Sequence, residues 1–250
     1  MPFKIRIIFL LFFVSISCKK EEAILLTFES FSEEYKGNCT GDDCANVTID
    51  YIKLLGEKEV IDKINFTIGN SIIYFLNSTS EKRIKATTVS EAANMFIKGY
   101  ENDKKEFPEL SPYEAEISIS KSLITSKIIS VKTEHYTFTG GAHGNSSTSF
   151  LNFDPLTGTL ITTRSLLKNK KEFTDFVEVI FRKEKNIAEN ESINSTGFWF
   201  ENDTFRLPET IGFSDKNVIF IYNQYEIASY ADGAIELIIP LEKARPYLTF

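Results

Sequence analysis

The first seventeen residues indicate the compartment in which this chain folds. Lys4 and Arg6 precede an unbroken apolar run at residues 7–14, and small residues then lead to Cys18. A basic start, a short apolar run and small residues before a cleavage point are typical of an export leader. The run is too short for a membrane-spanning helix, which needs about 20 apolar residues. We therefore predict that residues 1–17 are a signal peptide and that the remaining chain folds outside the cytoplasm.

Cys18 ends a sequence that resembles the lipobox of bacterial lipoproteins, in which the thiol is diacylated before cleavage. An ordinary cleaved leader without lipid is the alternative. The charged residues 19–22, Lys-Lys-Glu-Glu, either form a solvated tether or resemble the short signal that sends some Bacteroidetes lipoproteins to the cell surface. The sequence thus predicts a protein held on the outer membrane through Cys18, facing the periplasm or the cell surface.

The charge balance excludes one class of partner and favours another. Without its leader the chain carries 26 basic and 35 acidic residues, a formal net charge of −9. Nucleic-acid binding requires a basic surface, so we expect no nucleic-acid partner. A negative surface attracts cationic molecules, and a cationic protein is therefore one expected ligand. Nothing in the sequence indicates a cofactor.

Cys39 and Cys44 are the two cysteines left once Cys18 is assigned to the lipid. In an oxidising compartment, a pair this close in sequence is most simply a disulfide that closes a tight loop. Free thiols are the alternative, and a metal site would need two further Cys or His ligands nearby, which are not present. We predict that residues 18–44 form a lipidated tether followed by a disulfide loop.

The hydrophobic pattern indicates strands and helices in runs. Residues 45–55 alternate like a half-buried strand, and we also interpret 59–68 and 71–76 as β-rich. A capping-box pattern at residues 88–91 begins one helix, and apolar residues at helical spacing predict another over 171–183. Strands follow at residues 113–153, in a hairpin at 211–222 and at 234–239, and a short helix closes the chain.

The order of these elements predicts an α+β fold with mainly antiparallel sheets and a few packed helices, because strict βαβ alternation is absent. The best boundary lies near residues 155–170. We therefore expect two subdomains after the tether, at residues 45–158 and 159–250.

A glycine-rich turn is the most distinctive internal sequence, YTFTGGAHGN at residues 136–145. Gly140 and Gly141 permit positive φ angles or a close approach of the backbone to a ligand. The plainer interpretation is a tight turn between strands in which His143 forms a local hydrogen bond. The chain has only two histidines, His135 and His143, so a metal site or a catalytic triad would need distant partners.

A second candidate segment precedes the last strand. Tyr225, Glu226 and Tyr230 lie in the sequence YNQYEIASYADG on a strand-to-loop stretch. Tyrosines of this kind are common in binding surfaces, because each offers area and a hydroxyl at small entropic cost. They are equally common at the edge of a core, and spacing alone does not separate the two roles.

The ordered series of segments resembles one family. The turn YTFTGGAHGN, the following NFDPLTGTL, the helix EFTDFVEVIF and the C-terminal third are together similar to proteins that combine a PdaC-like domain with an RsiV-like C-terminal domain. The resemblance covers roughly residues 45–248. It implies an extracytoplasmic α+β fold, with residues 45–158 as the PdaC-like domain and 159–250 as the RsiV-like domain.

The resemblance also implies a choice of function. RsiV-like ectodomains bind lysozyme, and PdaC-like domains accompany a separate deacetylase domain. We predict a lipid-anchored binding module without catalytic residues that recognises a lysozyme-like protein or a cell-wall glycan such as peptidoglycan. The alternatives are a hydrolase of peptidoglycan or acylated glycans, with His143 and an acidic residue as its acid/base pair, and an envelope scaffold.

Overall fold

A computed structural model describes residues 27–39, 44–56, 59–78 and 86–250. The predicted signal peptide (1–17), the lipid attachment site Cys18 and most of the predicted tether lie outside these ranges. None of the helices in the described part of the chain combines the length and the apolar character that a membrane crossing requires.

Within the described residues, the larger of two sheets has five strands whose spatial order follows the chain. Among these described strands β2 and β3 run parallel, and the other neighbouring pairs are antiparallel. The strands are β1 (Thr27–Lys36), β2 (Asn46–Leu55), β3 (Glu114–Ile124), β4 (Ile129–Phe138) and β5 (Asn145–Phe153).

Two helices make the crossover between the parallel strands β2 and β3. They are α1 (Glu59–Ser78) and α2 (Val89–Glu106), and their apolar sides share a core with the buried side of the sheet. The side chain of Thr88 caps α2 by accepting the Glu91 N–H, as the capping-box pattern predicts.

The predicted β-rich stretches at 59–68 and 71–76 are wrong, because both lie within the single helix α1. Their isoleucines favour strands intrinsically, which suggested β structure. The buried residues nevertheless recur at helical spacing, as Ile61, Ile64, Ile68, Ile72 and Leu76. Burial of that stripe against the sheet outweighs the small helix penalty of β-branched residues.

The C-terminal part forms a three-stranded antiparallel sheet with one long helix against it. The helix confirms the predicted 171–183 segment, and β6 and β7 confirm the predicted hairpin. Its core is aromatic, with Phe173 and Phe181 of the helix packed against Phe220 and Tyr222 of the sheet. The elements are α3 (Lys170–Glu184), β6 (Ile211–Phe213), β7 (Asn217–Tyr222), β8 (Ile235–Pro240) and the short α4 (Leu241–Ala244).

The two sheets join where β6 crosses the end of β5. The Asn152 side chain donates to the Ile211 carbonyl at 2.8 Å, and the Phe150 ring lies so close to Gly212 that no Cβ would fit there. Buried side chains form one cluster for each sheet. This arrangement confirms the α+β class with mainly antiparallel sheets, whereas the division at residues 158 and 159 stays a prediction.

Cys39 and Cys44 are joined by a disulfide, as the sequence predicted. They lie in the connection between β1 and β2, where the Gly37 N–H donates to the Ala45 carbonyl at 3.0 Å. The disulfide therefore closes the tip of the β1–β2 hairpin.

Candidate functional site

The two candidate segments of the sequence meet on one surface. The ring of His143 stacks on the ring of Tyr230, with 3.9 Å between their centres and 25° between their planes. The Tyr230 hydroxyl also donates to the Gly144 carbonyl at 3.1 Å. The glycine turn after β4 and the loop before β8 therefore form a single structure, which we call the aromatic stack: His143, Tyr225 and Tyr230.

The turn needs its glycines for two different reasons. Gly140 and Gly141 have φ angles of 84° and 94°, in the left-handed region that favours glycine. Gly144 has ordinary backbone angles, but the Tyr136 ring lies directly against its Cα and leaves no room for a Cβ. The turn thus presses Tyr136 and the aromatic stack together.

His143 finds its hydrogen bond locally, which is the plainer of the two interpretations that the sequence left open. Its Nδ1 lies 2.9 Å from the Gly144 carbonyl, and the residue is otherwise exposed. Among the contacts of the described residues, no carboxylate bonds to this ring.

Tyr225 is held in a conformation that tyrosine rarely adopts. Its φ angle is 66°, and 56% of the residue is exposed. Its ring packs at 5.7 Å from that of Tyr230. A left-handed backbone costs a residue with a Cβ about 1–2 kcal/mol, and such strain is concentrated at functional sites. The fold keeps a large aromatic ring exposed here despite that cost.

Glu226 stabilises the loop that carries Tyr225 and Tyr230. One carboxylate oxygen accepts the Arg206 guanidinium at 2.9 Å, and the other accepts the Asn223 N–H at 3.0 Å. Arg206 also donates to the Glu226 carbonyl. Because both oxygens are engaged, Glu226 holds the tyrosine loop in shape.

Asn223 fixes this loop to the larger sheet. Its amide accepts the Thr148 N–H at 2.7 Å and donates to the Thr148 carbonyl at 3.0 Å. These backbone groups lie on the open edge of β5, and an edge strand exposes unpaired groups unless something covers them. One side chain thus completes the sheet edge and positions the aromatic stack.

A cleft that sequence reasoning missed lies beside the stack, on the side of the large sheet away from α1 and α2. Its volume is about 440 Å³. Two rows of cross-strand neighbours line it. One row is Thr48, Glu116, Tyr136 and Ser146, and the other is Asp50, Ser118, Glu134 and Thr148.

The cleft is acidic and adjoins the aromatic stack. Asp50, Glu116 and Glu134 supply three carboxylates to its walls, and Lys132 neutralises Glu134 in part at 2.6 Å. Tyr136 lines the cleft and touches Gly144. Burial and the negative charges of the nearby glutamates raise the pKa of the Tyr136 hydroxyl. That group therefore keeps its proton at neutral pH and offers a donor.

The other histidine, His135, also borders the cleft, but its ring faces the helices on the opposite side of the sheet. His135 stacks on Phe75 of α1 at 4.1 Å, and its buried Nε2 has no hydrogen-bond partner. Burial lowers the pKa of His135 to about 4, so this ring is neutral at physiological pH. In the described residues, no group of three His, Cys, Asp or Glu side chains is placed to hold a metal ion.

The architecture and the site define a class, namely two-part α+β proteins with a hairpin-rich N-terminal sheet and a small aromatic C-terminal sheet. Residues 38–146 match the family described as deacetylase PdaC. Residues 161–242 match the family described as protein of unknown function DUF3298. The chain thus carries a PdaC-family segment followed by a DUF3298 segment. This confirms the PdaC-like part of the resemblance drawn from the sequence, whereas the likeness to RsiV stays a prediction. These matches indicate cell-envelope-associated domains and leave their ligand open.

Two solved structures share this fold along nearly its whole length. A DUF3298 family member from Bacteroides fragilis is 21% identical with a TM-score of 0.71, and the match covers 90% of this chain and 94% of that one. A DUF3298 family protein from Pseudomonas aeruginosa is 17% identical with a TM-score of 0.65 and the same coverage. At this identity the likeness concerns the fold alone. No curated protein matches the chain.

Proposed function

We propose that this protein is a lipid-anchored binding module of the cell envelope that recognises a cationic, lysozyme-like protein. The observation that carries the proposal is the acid-lined cleft bordered by the aromatic stack. A concave surface with a few charged groups and exposed rings is a common form of binding site.

Charge favours a cationic protein as the ligand. The cleft contributes Asp50, Glu116 and Glu134 within a chain whose formal charge is already −7 with its leader. Such a field steers oppositely charged partners and raises the association rate. A neutral glycan would gain nothing from it.

The rings supply the apolar contact that charge alone lacks. Aromatic residues are enriched in protein interfaces and often dominate their binding energy. His143, Tyr225 and Tyr230 are held by the Asn223 amide and the Arg206–Glu226 ion pair. Because they are held before binding, little side-chain entropy is lost when a partner docks.

The test is calorimetric titration of the chain lacking residues 1–18 with hen lysozyme, at low and at physiological salt. We expect micromolar or tighter binding that weakens as salt rises, because exposed charges are screened. The double variant Asp50→Asn, Glu116→Gln should bind about tenfold more weakly. The matched control is Asp215→Asn, Glu242→Gln, which removes the same charge from exposed positions outside the cleft.

Four outcomes would contradict the proposal. Lysozyme binding weaker than micromolar would exclude a lysozyme-like protein as the ligand. Binding of peptidoglycan fragments would instead assign the cleft to a glycan. An equal effect of both double variants would show that net charge, and not the cleft, controls binding. Release of product from peptidoglycan that disappears in His143→Ala would establish the hydrolase alternative.

The anchor is tested separately. We expect metabolic labelling with a fatty acid in the native cell envelope to mark the wild-type protein and not Cys18→Ala. Protease treatment of intact cells then distinguishes the two locations, because a protein on the cell surface is cleaved and one facing the periplasm is protected.

A further inference from the structure

The five-stranded sheet has two ends with different surfaces. The glycine turn, the disulfide hairpin and the aromatic stack gather at one end, where β4 finishes and β5 begins. The other end holds the start of β1, the end of β2 and the turn after β5. Strands of this length span about 30 Å, so the two ends are well separated.

The end where β1 begins exposes large apolar side chains. Leu156 is 70% exposed and Leu160 is 51% exposed, both in or next to the turn after β5. Phe28 and Leu55, on the paired ends of β1 and β2, are each 38% exposed. We call these four side chains the apolar end.

The turn that carries Leu156 is rigid, which makes its exposure notable. Asp154 accepts the N–H groups of Leu156 and Thr157 on its carboxylate, at 2.7 and 3.1 Å. The Gly158 N–H donates to the Asp154 carbonyl at 2.8 Å. Gly158 also fits tightly against the Val60 carbonyl at the start of α1. Turns are usually polar, so a fixed turn that displays leucine indicates a surface that is covered.

Lysines accompany the apolar end. Lys121 is exposed, and its Nζ lies 5.3 Å from the centre of the Phe28 ring. Lys127 is exposed in the β3–β4 turn and lines a cavity of about 410 Å³ together with Leu160. Apolar side chains with cations beside them suit a bilayer surface, where the chains enter the headgroup boundary and the cations meet phosphates.

The position of the predicted lipid anchor indicates that the membrane is the surface that covers the apolar end. Nine residue steps separate Cys18 from Thr27, the first residue of β1. A chain of that length reaches at most about 30 Å, so the start of β1 stays close to the lipid that holds Cys18. The same lipid tethers the molecule by the apolar end, and not by the end that carries the aromatic stack.

We infer that the apolar end docks on the surface of the membrane that carries the anchor, so that the cleft and the aromatic stack face away from it. This inference rests on the lipid anchor of the proposed function and not on the identity of its ligand.

The test measures contact with lipid at each end of the molecule. The chain has one tryptophan, Trp199, and Trp199→Phe gives a dark background. Leu156→Trp then reports on the apolar end, and Phe107→Trp is the matched control, since Phe107 is also well exposed but lies just before β3 at the other end of the sheet. The lipidated proteins are reconstituted in vesicles of phosphatidylethanolamine with a minor fraction of phosphatidylglycerol, with and without bromine on the acyl chains.

We expect brominated lipid to quench the fluorescence of Leu156→Trp about twofold or more and to leave that of Phe107→Trp unchanged, because bromine quenches only rings that reach the acyl boundary. Equal quenching at both positions, or none at position 156, would overturn the inference. Mass spectrometry before reconstitution separates the two proposals. A chain without lipid on Cys18 refutes the anchor and with it this inference, whereas lysozyme binding by the soluble chain is measured independently.

Discussion

The buried histidine His135 makes the stability of the protein depend on pH in a calculable way. Its pKa falls to about 4 in the folded chain, from an ordinary value of 6.5, because burial disfavours the charged ring. The unfolded chain thus binds the proton more tightly. The contribution to stability is fully present above pH 6.5 and is lost as the pH falls towards 4.

The size of the loss follows from the two pKa values. Each tenfold difference in proton affinity is worth about 1.4 kcal/mol, so lowering the pH from 7.5 to 5 would cost about 2 kcal/mol. The residue remains partly exposed, and allowance for solvent screening reduces the expected loss to about 1–2 kcal/mol.

The assay is urea unfolding at pH 7.5, 6 and 5 for wild type, His135→Phe and the matched variant His143→Phe. Phenylalanine keeps a ring against Phe75 and removes the unpaired Nε2. We expect His135→Phe to lose about 1–2 kcal/mol less than wild type between pH 7.5 and 5, and His143→Phe to follow wild type. The reasoning is refuted if His135→Phe loses as much stability as wild type.

Three further substitutions test the packing around the site. Tyr225→Gly should be about 1 kcal/mol more stable than Tyr225→Ala, since only alanine keeps the left-handed strain; equal unfolding midpoints would contradict this. Gly212→Ala should cost about 1–3 kcal/mol by forcing the Phe150 ring aside, and an unchanged melting temperature would show that the ring moves freely. Asn223→Ala should cost about 1–3 kcal/mol of stability by uncovering the Thr148 backbone groups. At temperatures where the variant is folded, it should also bind lysozyme more weakly. Unchanged lysozyme binding would show that Asn223 contributes to stability alone.

Local sequence patterns were sufficient for much of the fold. The apolar spacing of residues 171–183 predicted α3, and the pattern of residues 211–222 predicted the β6–β7 hairpin, because each depends on contacts close in the chain. The same reasoning failed for α1. The high isoleucine content of residues 59–76 was interpreted as β structure, although the spacing of those isoleucines is helical. The disulfide was predictable because only one pair remained.

The sequence identified each candidate residue separately, but it did not predict that the two candidate segments contact each other. His143 and Tyr230 are 87 residues apart, and they stack because the Asn223 amide binds the edge of β5. Asparagine in a loop ordinarily indicates a turn. Its role as a bridge between sheets depends on which strand forms the edge, and periodicity does not contain that information.

The acidic cleft shows most clearly where local reasoning ends. Asp50, Glu116 and Glu134 each occupy a polar position in an alternating strand, and such residues normally face water alone. The strand register sets them on one face, and the second sheet covers that face over Phe150 and Asn152 but not over the carboxylates. The closed part of the face joins the two sheets and the open part forms the cleft. A slip of one residue in any of these three strands would turn that strand's carboxylate to the side of the helices, where its charge could not be buried. The register that permits the fold therefore also gathers the negative charge beside the aromatic stack.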